Sequence, residues 1–161
     1  MKALNILLKT DNTVSMLLLR LALGVAMFPH GAQKVLGWFG GHGFSGTMGF
    51  FTGTLHIPAF LAFLAIAAEF AGALALVTGL FTRIAAFGIG VTMFVAGAMH
   101  WQHGFFLNWA GNQKGEGIEY HLLAIAISLA LIIRGGGKWA LDSLVVGKVE
   151  EQVPAGRPAL A

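Results

Sequence analysis

Residues 57–101, IPAFLAFLAIAAEFAGALALVTGLFTRIAAFGIGVTMFVAGAMHW, hold two apolar runs, 57–79 and 81–101, with little more than Leu80 between them. Each run has the roughly 20 residues needed to cross about 30 Å of hydrocarbon. A single segment crosses lipid only as a helix, because lipid offers no partner to a free backbone N–H or C=O. So short a connection forces the two helices into an antiparallel hairpin, turning on one side of a membrane.

Working outward, two further apolar runs lie at about 14–36 and 118–134. The expected fold class is therefore all-α, an integral membrane bundle of four transmembrane helices in one domain over residues 1–147. Composition agrees. Of 161 residues, 57% are hydrophobic and only 11% charged, with a mean hydropathy of +0.76. Such a chain has too little charge to cover a soluble domain of this size. The opening MKALNILLK is weakly basic, but its apolar run contains Arg20 and Lys34 and shows no short cleavable region, so it reads as a retained span.

The connections around 37–56 and 102–117 lie opposite the hairpin turn and are rich in Gly, Phe, His and Trp. On the hairpin side fall Lys2, Lys9, Arg83, Arg134, Lys138, Lys148 and Arg157, against Lys34 and Lys114 on the other. The positive-inside rule then places both termini in the cytoplasm. After Arg134, three glycines break the helix, and residues 138–146 read as a short segment lying at the interface. The tail, 148–161, has two prolines and no periodicity and is expected to be disordered on the cytoplasmic side.

Basic residues occur singly, so nucleic acid is excluded as a partner; the lipid bilayer is the one expected. The chain has no cysteine, which removes disulfides, thiolate metal sites and dithiol exchange.

Ionisable groups within membrane spans cost about 2.5–3.5 kcal/mol each on insertion scales, so they turn inward and find partners. Arg20, His30 and Lys34 share one face of the first span. Counting about 1.5 Å per residue puts Arg20 at roughly 10 Å and Glu69 at roughly 15 Å from the hairpin side, which predicts a structural Arg20–Glu69 ion pair. His30, Lys34, His100, Glu119 and His121 come out at roughly 20–30 Å, from three helices, with His103, His42 and His56 in the adjoining loops. All six histidines therefore lie toward one side. Glu119 and His121, two residues apart, project about 200° from each other on a regular helix. That argues against a complete metal site, and no HxxxH or HxxE pattern calls for haem or metal. Gln33 is left without an assignment.

The order of these features resembles the DoxX family of small four-helix membrane proteins. The stretches that carry it are RLALGVAMFPHGAQKVLG (20–37), EFAGALALVTGLFTRIAA (69–86), AMHWQHGFF (98–106), GIEYHLL (117–123) and GGGKWALDSLV (135–145). The resemblance carries over Arg20, His30, Gly31, Lys34, Glu69, Arg83, the Gly104-Phe105-Phe106 turn, Glu119 and Asp142 as pattern positions. It implies a multi-pass protein of a bacterial-type inner (plasma) membrane and a redox-associated subunit, since some relatives are linked to quinones and sulfur compounds.

Two readings stay open. As an enzyme subunit, a quinone-linked oxidoreductase, the chain offers an outward-facing polar site for a quinone headgroup or small reduced substrate. His30, His100 and Glu119 are then the catalytic candidates, with Lys34, His121 and His103 binding the ligand. Electrons come from substrate or from a soluble or membrane redox partner, because the chain holds no electron carrier of its own. As a scaffold, the same polar groups only fix helix register, and the protein anchors another complex or further copies of itself.

Overall fold

The computed structural model describes residues 6–151, with side chains described through residue 146. Among the described residues all regular structure is helical, with no strand. Helix α1 runs Val14–Leu36. A one-turn 3-10 segment at Trp38–Gly40 leads to a short helix α2, Gly43–Gly49, extended by a π turn to Thr54. Then follow α3, Ala59–Thr78; α4, Thr82–His100, prolonged by a 3-10 turn to His103; α5, Glu119–Arg134; and α6, Leu141–Glu151.

Helices α1, α3, α4 and α5 pack side by side in a closed ring, α1 on α3, α3 on α4, α4 on α5 and α5 back on α1. Alternate elements run in opposite directions. The three-residue link at Gly79–Phe81 therefore marks one end of the bundle, the hairpin end, and the long connections around 37–58 and 101–118 mark the other, the loop end. Pro29 sits inside α1 without ending it.

Three helical segments, Val14–Leu36, Ala59–Thr78 and Thr82–His103, are long and apolar enough to cross a membrane. The fourth expected span is shorter: α5 has 16 residues, about 24 Å of rise. Its ends explain the length. At the start, the Ile118 and Glu119 N–H groups donate to the carbonyls of Gly104 and Phe105, so the loop rather than a further helical turn satisfies them. At the finish, Gly135 takes φ +80° hard against Lys9 and Thr10, where no side chain fits.

The interior is built of Leu23, Met27, Leu76, Ile89, Met93 and Leu131 with buried alanines between them. Outside, Leu18, Val25, Phe60, Phe87, Phe94 and Ile133 are exposed along the helix faces. An apolar exterior of this extent is what hydrocarbon rewards and water penalises. All four tryptophans are exposed as well, Trp38, Trp101 and Trp109 at the loop end and Trp139 at the hairpin end, where indoles sit in membrane–water interfaces.

Helix α6 runs on to Glu151, past residue 148 where an irregular tail was expected. The rest of that expected tail, 152–161, lies outside the described residues.

Candidate functional site

The polar side chains fall into two sets. At the hairpin end Arg20 and Arg83 are used on backbone carbonyls, while Arg134 pairs with Asp11. Arg20, 2% exposed, donates from Nε to Gly136 O at 2.8 Å and from Nη1 to Leu76 O and Val77 O at 2.8 and 3.0 Å. The latter two belong to the last turn of α3, where Leu76 O otherwise receives only the Gly79 N–H, at 3.2 Å. Arg83 does the same for α5, donating to Ile132 O and Ile133 O, and also to Lys9 O. Asp142 closes the start of α4 from outside it, accepting the Phe81 and Thr82 N–H groups at 2.6 and 2.9 Å. Cations at helix C-termini and a carboxylate at an N-terminus follow the sign of the helix dipole.

Arg20 and Glu69 therefore do not pair, contrary to the depth count. That count compared Cα heights and ignored side-chain lean. Every Cα–Cβ bond tilts toward its helix N-terminus. On α1 this carries Arg20 toward the hairpin end, away from Glu69, and carries Lys34 down from above. On the oppositely directed α3 it carries Glu69 up. Glu69, 5% exposed, accepts from the Lys34 ammonium instead. Gly31 makes this approach sterically feasible: a Cβ there would lie 2.5 Å from Phe70 Cα and 2.7 Å from Glu69 O.

Above this pair lies a hollow of about 270 Å³ lined by Lys34, Gln33, Gly41, His42, Thr47 and Phe50. Gln33 now has a role, since its amide donates to Phe39 O at 3.2 Å and pins the 38–41 turn that forms one wall. His56, by contrast, is exposed and at φ +55° in the link to α3.

A second group lies across the bundle. His30 on α1 is exposed and faces Tyr120 on α5 with ring centroids 5.9 Å apart. Tyr120 neighbours His121 at 6.0 Å; His121 stacks on His100 of α4 at 5.1 Å; His100 neighbours His103 at 5.9 Å. The Tyr120 hydroxyl reaches only the Met27 Sδ, at 3.1 Å. His100 Nδ1 lies 2.8 Å from Ala96 O of its own helix, whereas the Nδ1 atoms of His103 and His121 are buried without a partner.

His30 and His100 thus stand at separate points of a row of rings, with Tyr120 and His121 between them. Ring order is the reason: α1 and α4 are diagonal neighbours, and α5 stands between them with Tyr120 toward one and His121 toward the other. Glu119 points elsewhere again, its Oε2 accepting the Leu107 N–H at 3.3 Å and bracing the 104–117 loop. No three His, Cys, Asp or Glu side chains among the described residues are arranged to hold a metal ion.

The DoxX family profile matches residues 15–102, more than half of the chain. The chain belongs to the DoxX family. The match covers α1 to α4, and so includes Arg20, His30, Lys34, Glu69 and His100 of this DoxX protein, while Tyr120, His121, Glu119 and Asp142 lie beyond it. No curated protein and no solved structure matches the chain.

Sequence reasoning missed Tyr120, the one tyrosine of the chain, and the hollow over Lys34. Tyr120 sits beside Glu119 and His121, and a helical wheel of α5 places it toward a different neighbour from either. The hollow is set by the path of 38–50, which periodicity does not encode.

Proposed function

We propose that this DoxX protein is a redox-associated membrane subunit whose loop end takes a quinone headgroup or a small reduced substrate. In this reading all four long helices cross a bacterial-type inner membrane, and the termini lie in the cytoplasm. The observation that carries it is the Lys34–Glu69 pair beneath the 270 Å³ hollow. An ion pair placed only for register needs no opening above it. The Lys34 ammonium has three N–H donors and spends one on Glu69. Two remain for an acceptor oxygen entering between Gln33, His42 and Phe50, and the neutral sum of the pair suits an uncharged carbonyl. Reduction of a quinone to a quinol takes up two electrons and two protons. Lys34 and Glu69 can hold and pass a proton at the carbonyl, and His30, one helical turn before Lys34, faces Tyr120 as the next ring along. Electrons arrive from the reduced substrate or from a redox partner.

The scaffold reading draws on the hairpin end, where Arg20, Arg83 and Asp142 bond only to backbone. One experiment separates the two. Protein purified with its native lipid is extracted and assayed for quinone, and a short-chain quinone is titrated against the parent, Lys34→Met and Glu69→Gln forms. The redox reading expects quinone bound to the parent and an affinity loss of about tenfold or more in Lys34→Met. Equal affinity in all three, or none in the parent, overturns it and leaves the scaffold.

A further inference from the structure

A second hollow, of about 460 Å³, opens at the hairpin end between Thr10 and Asn12 on one side and Gly137, Trp139, Ser143 and Leu144 on the other. It lies far from Lys34 and Glu69, at the opposite end of α1. We propose that it is a binding site for the headgroup of an anionic phospholipid, with Lys138 supplying the countercharge.

Three observations support that occupant. Among the described side chains, this end of the bundle carries Lys9, Arg20, Arg83, Arg134 and Lys138 against Asp11 and Asp142. Arg20 and Arg83 spend their donors on carbonyls and Arg134 pairs with Asp11. The Lys9 and Lys138 ammonium groups are engaged by no hydrogen bond among the described residues, and of the two it is Lys138 that stands beside the hollow, 5.2 Å over the ring of its lining residue Trp139. A net positive interface attracts anionic lipid, at a worth of about fivefold in occupancy per cation.

The second observation is conformational. Trp139 is 75% exposed and held at φ +59°, a region that bulky residues seldom enter. The surrounding bonds fix it there: Lys138 N–H donates to Thr13 O, Gly137 N–H to the Thr10 hydroxyl, and Asp142 N–H to Gly79 O. The indole is thereby presented outward at the rim of the hollow, where it can cover the junction of headgroup and acyl chain.

The third is position. The walls combine polar Asn12, Thr10 and Ser143 with apolar Leu144 at the ends of membrane-crossing helices, which is the depth of lipid headgroups.

The test uses full-length protein with Trp139 as sole tryptophan, Trp38, Trp101 and Trp109 each replaced by Phe. It is placed in phosphatidylcholine vesicles containing brominated phosphatidylglycerol, or the same mole fraction of brominated phosphatidylcholine. The proposal expects Trp139 fluorescence to be quenched about fivefold more effectively by the anionic lipid, and Lys138→Gln to erase the preference while Arg134→Gln leaves it. Equal quenching by both lipids overturns the site. Equal loss in Lys138→Gln and Arg134→Gln also overturns it, because bulk charge alone would then account for the enrichment.

Discussion

The two ends of this bundle handle buried charge in different ways. At the hairpin end Arg20 and Arg83 each close the last turn of an antiparallel neighbour, α3 and α5 respectively, and Asp142 closes the first turn of α4. Each of these three charges meets backbone, so its side chain cannot turn to anything else without reopening a helix end. At the loop end Lys34 and Glu69 meet each other, and the rings of Tyr120, His121 and His100 meet one another. The helix ends there are secured by loop backbone instead, as at Ile118 and Glu119. Side chains released from capping keep spare donors. The contrast separates an end whose charges close helices from an end whose polar side chains meet one another.

The strongest way to break that contrast is to remove Arg20. Arg20→Met keeps much of the volume but leaves the carbonyls of Leu76, Val77 and Gly136 without their charged donor. Destabilisation of about 3 kcal/mol or more is expected, read as a large drop in the thermal unfolding midpoint in detergent. A midpoint within a degree or two of the parent would show that the guanidinium is not what holds this end. Asp142→Asn comes next, at about 1–2 kcal/mol. An amide has one acceptor oxygen where the carboxylate offers two, and its NH2 group would face the Phe81 or Thr82 N–H. Asp142→Glu, with both oxygens but a longer reach, should recover only part of the loss.

That these residues close helices was only partly legible in the sequence. Hydropathy shows where the apolar runs lie, because lipid imposes length and composition on each crossing independently. The hairpin turn was legible at Leu80 for the same reason. Pairing was not, since it depends on which way a side chain leans and which helix stands between two others. Arg20 and Glu69 look close when only Cα heights are compared. His30 and His100 share a depth yet lie on diagonal helices, with Tyr120 and His121 between them. The role of Asp142 lies 60 residues from the N–H groups it accepts, beyond any local pattern. Lys34 was legible as an inward cation because lipid leaves it no other direction, although its partner was not.

The Lys34–Glu69 pair sharpens the contrast at intermediate size. Glu69→Gln removes the carboxylate beneath an ammonium that is half-buried and free to extend toward the loop-end surface, so about 1–2 kcal/mol is expected rather than the full cost of a stranded charge. In a double-mutant cycle with Lys34→Met the coupling should be close to the single Glu69→Gln loss. Gly31→Val tests the geometry without touching either charge. Its added carbons would meet Phe70 and the Glu69 carbonyl, forcing α1 away from α3 and removing the coupling. A coupling that survives Gly31→Val would mean that the close approach of these helices is not what brings the pair together.

The smallest effect is expected at Glu119. One of its oxygens accepts a single, long bond from the Leu107 N–H, 3.3 Å, while the same loop is held by a shorter bond from the Asn108 N–H to Glu116 at 2.8 Å. Glu119→Gln keeps an acceptor of the same reach, so stability should change by less than about 0.5 kcal/mol. Glu116→Ala should cost more, because it removes the shorter of the two bonds and leaves no acceptor in its place. If Glu119→Gln proves the costlier of the two, the carboxylate charge itself is holding the loop end together. That end would then be closed by a partly buried charge acting on backbone, much as the hairpin end is, and the division between them would lose its basis.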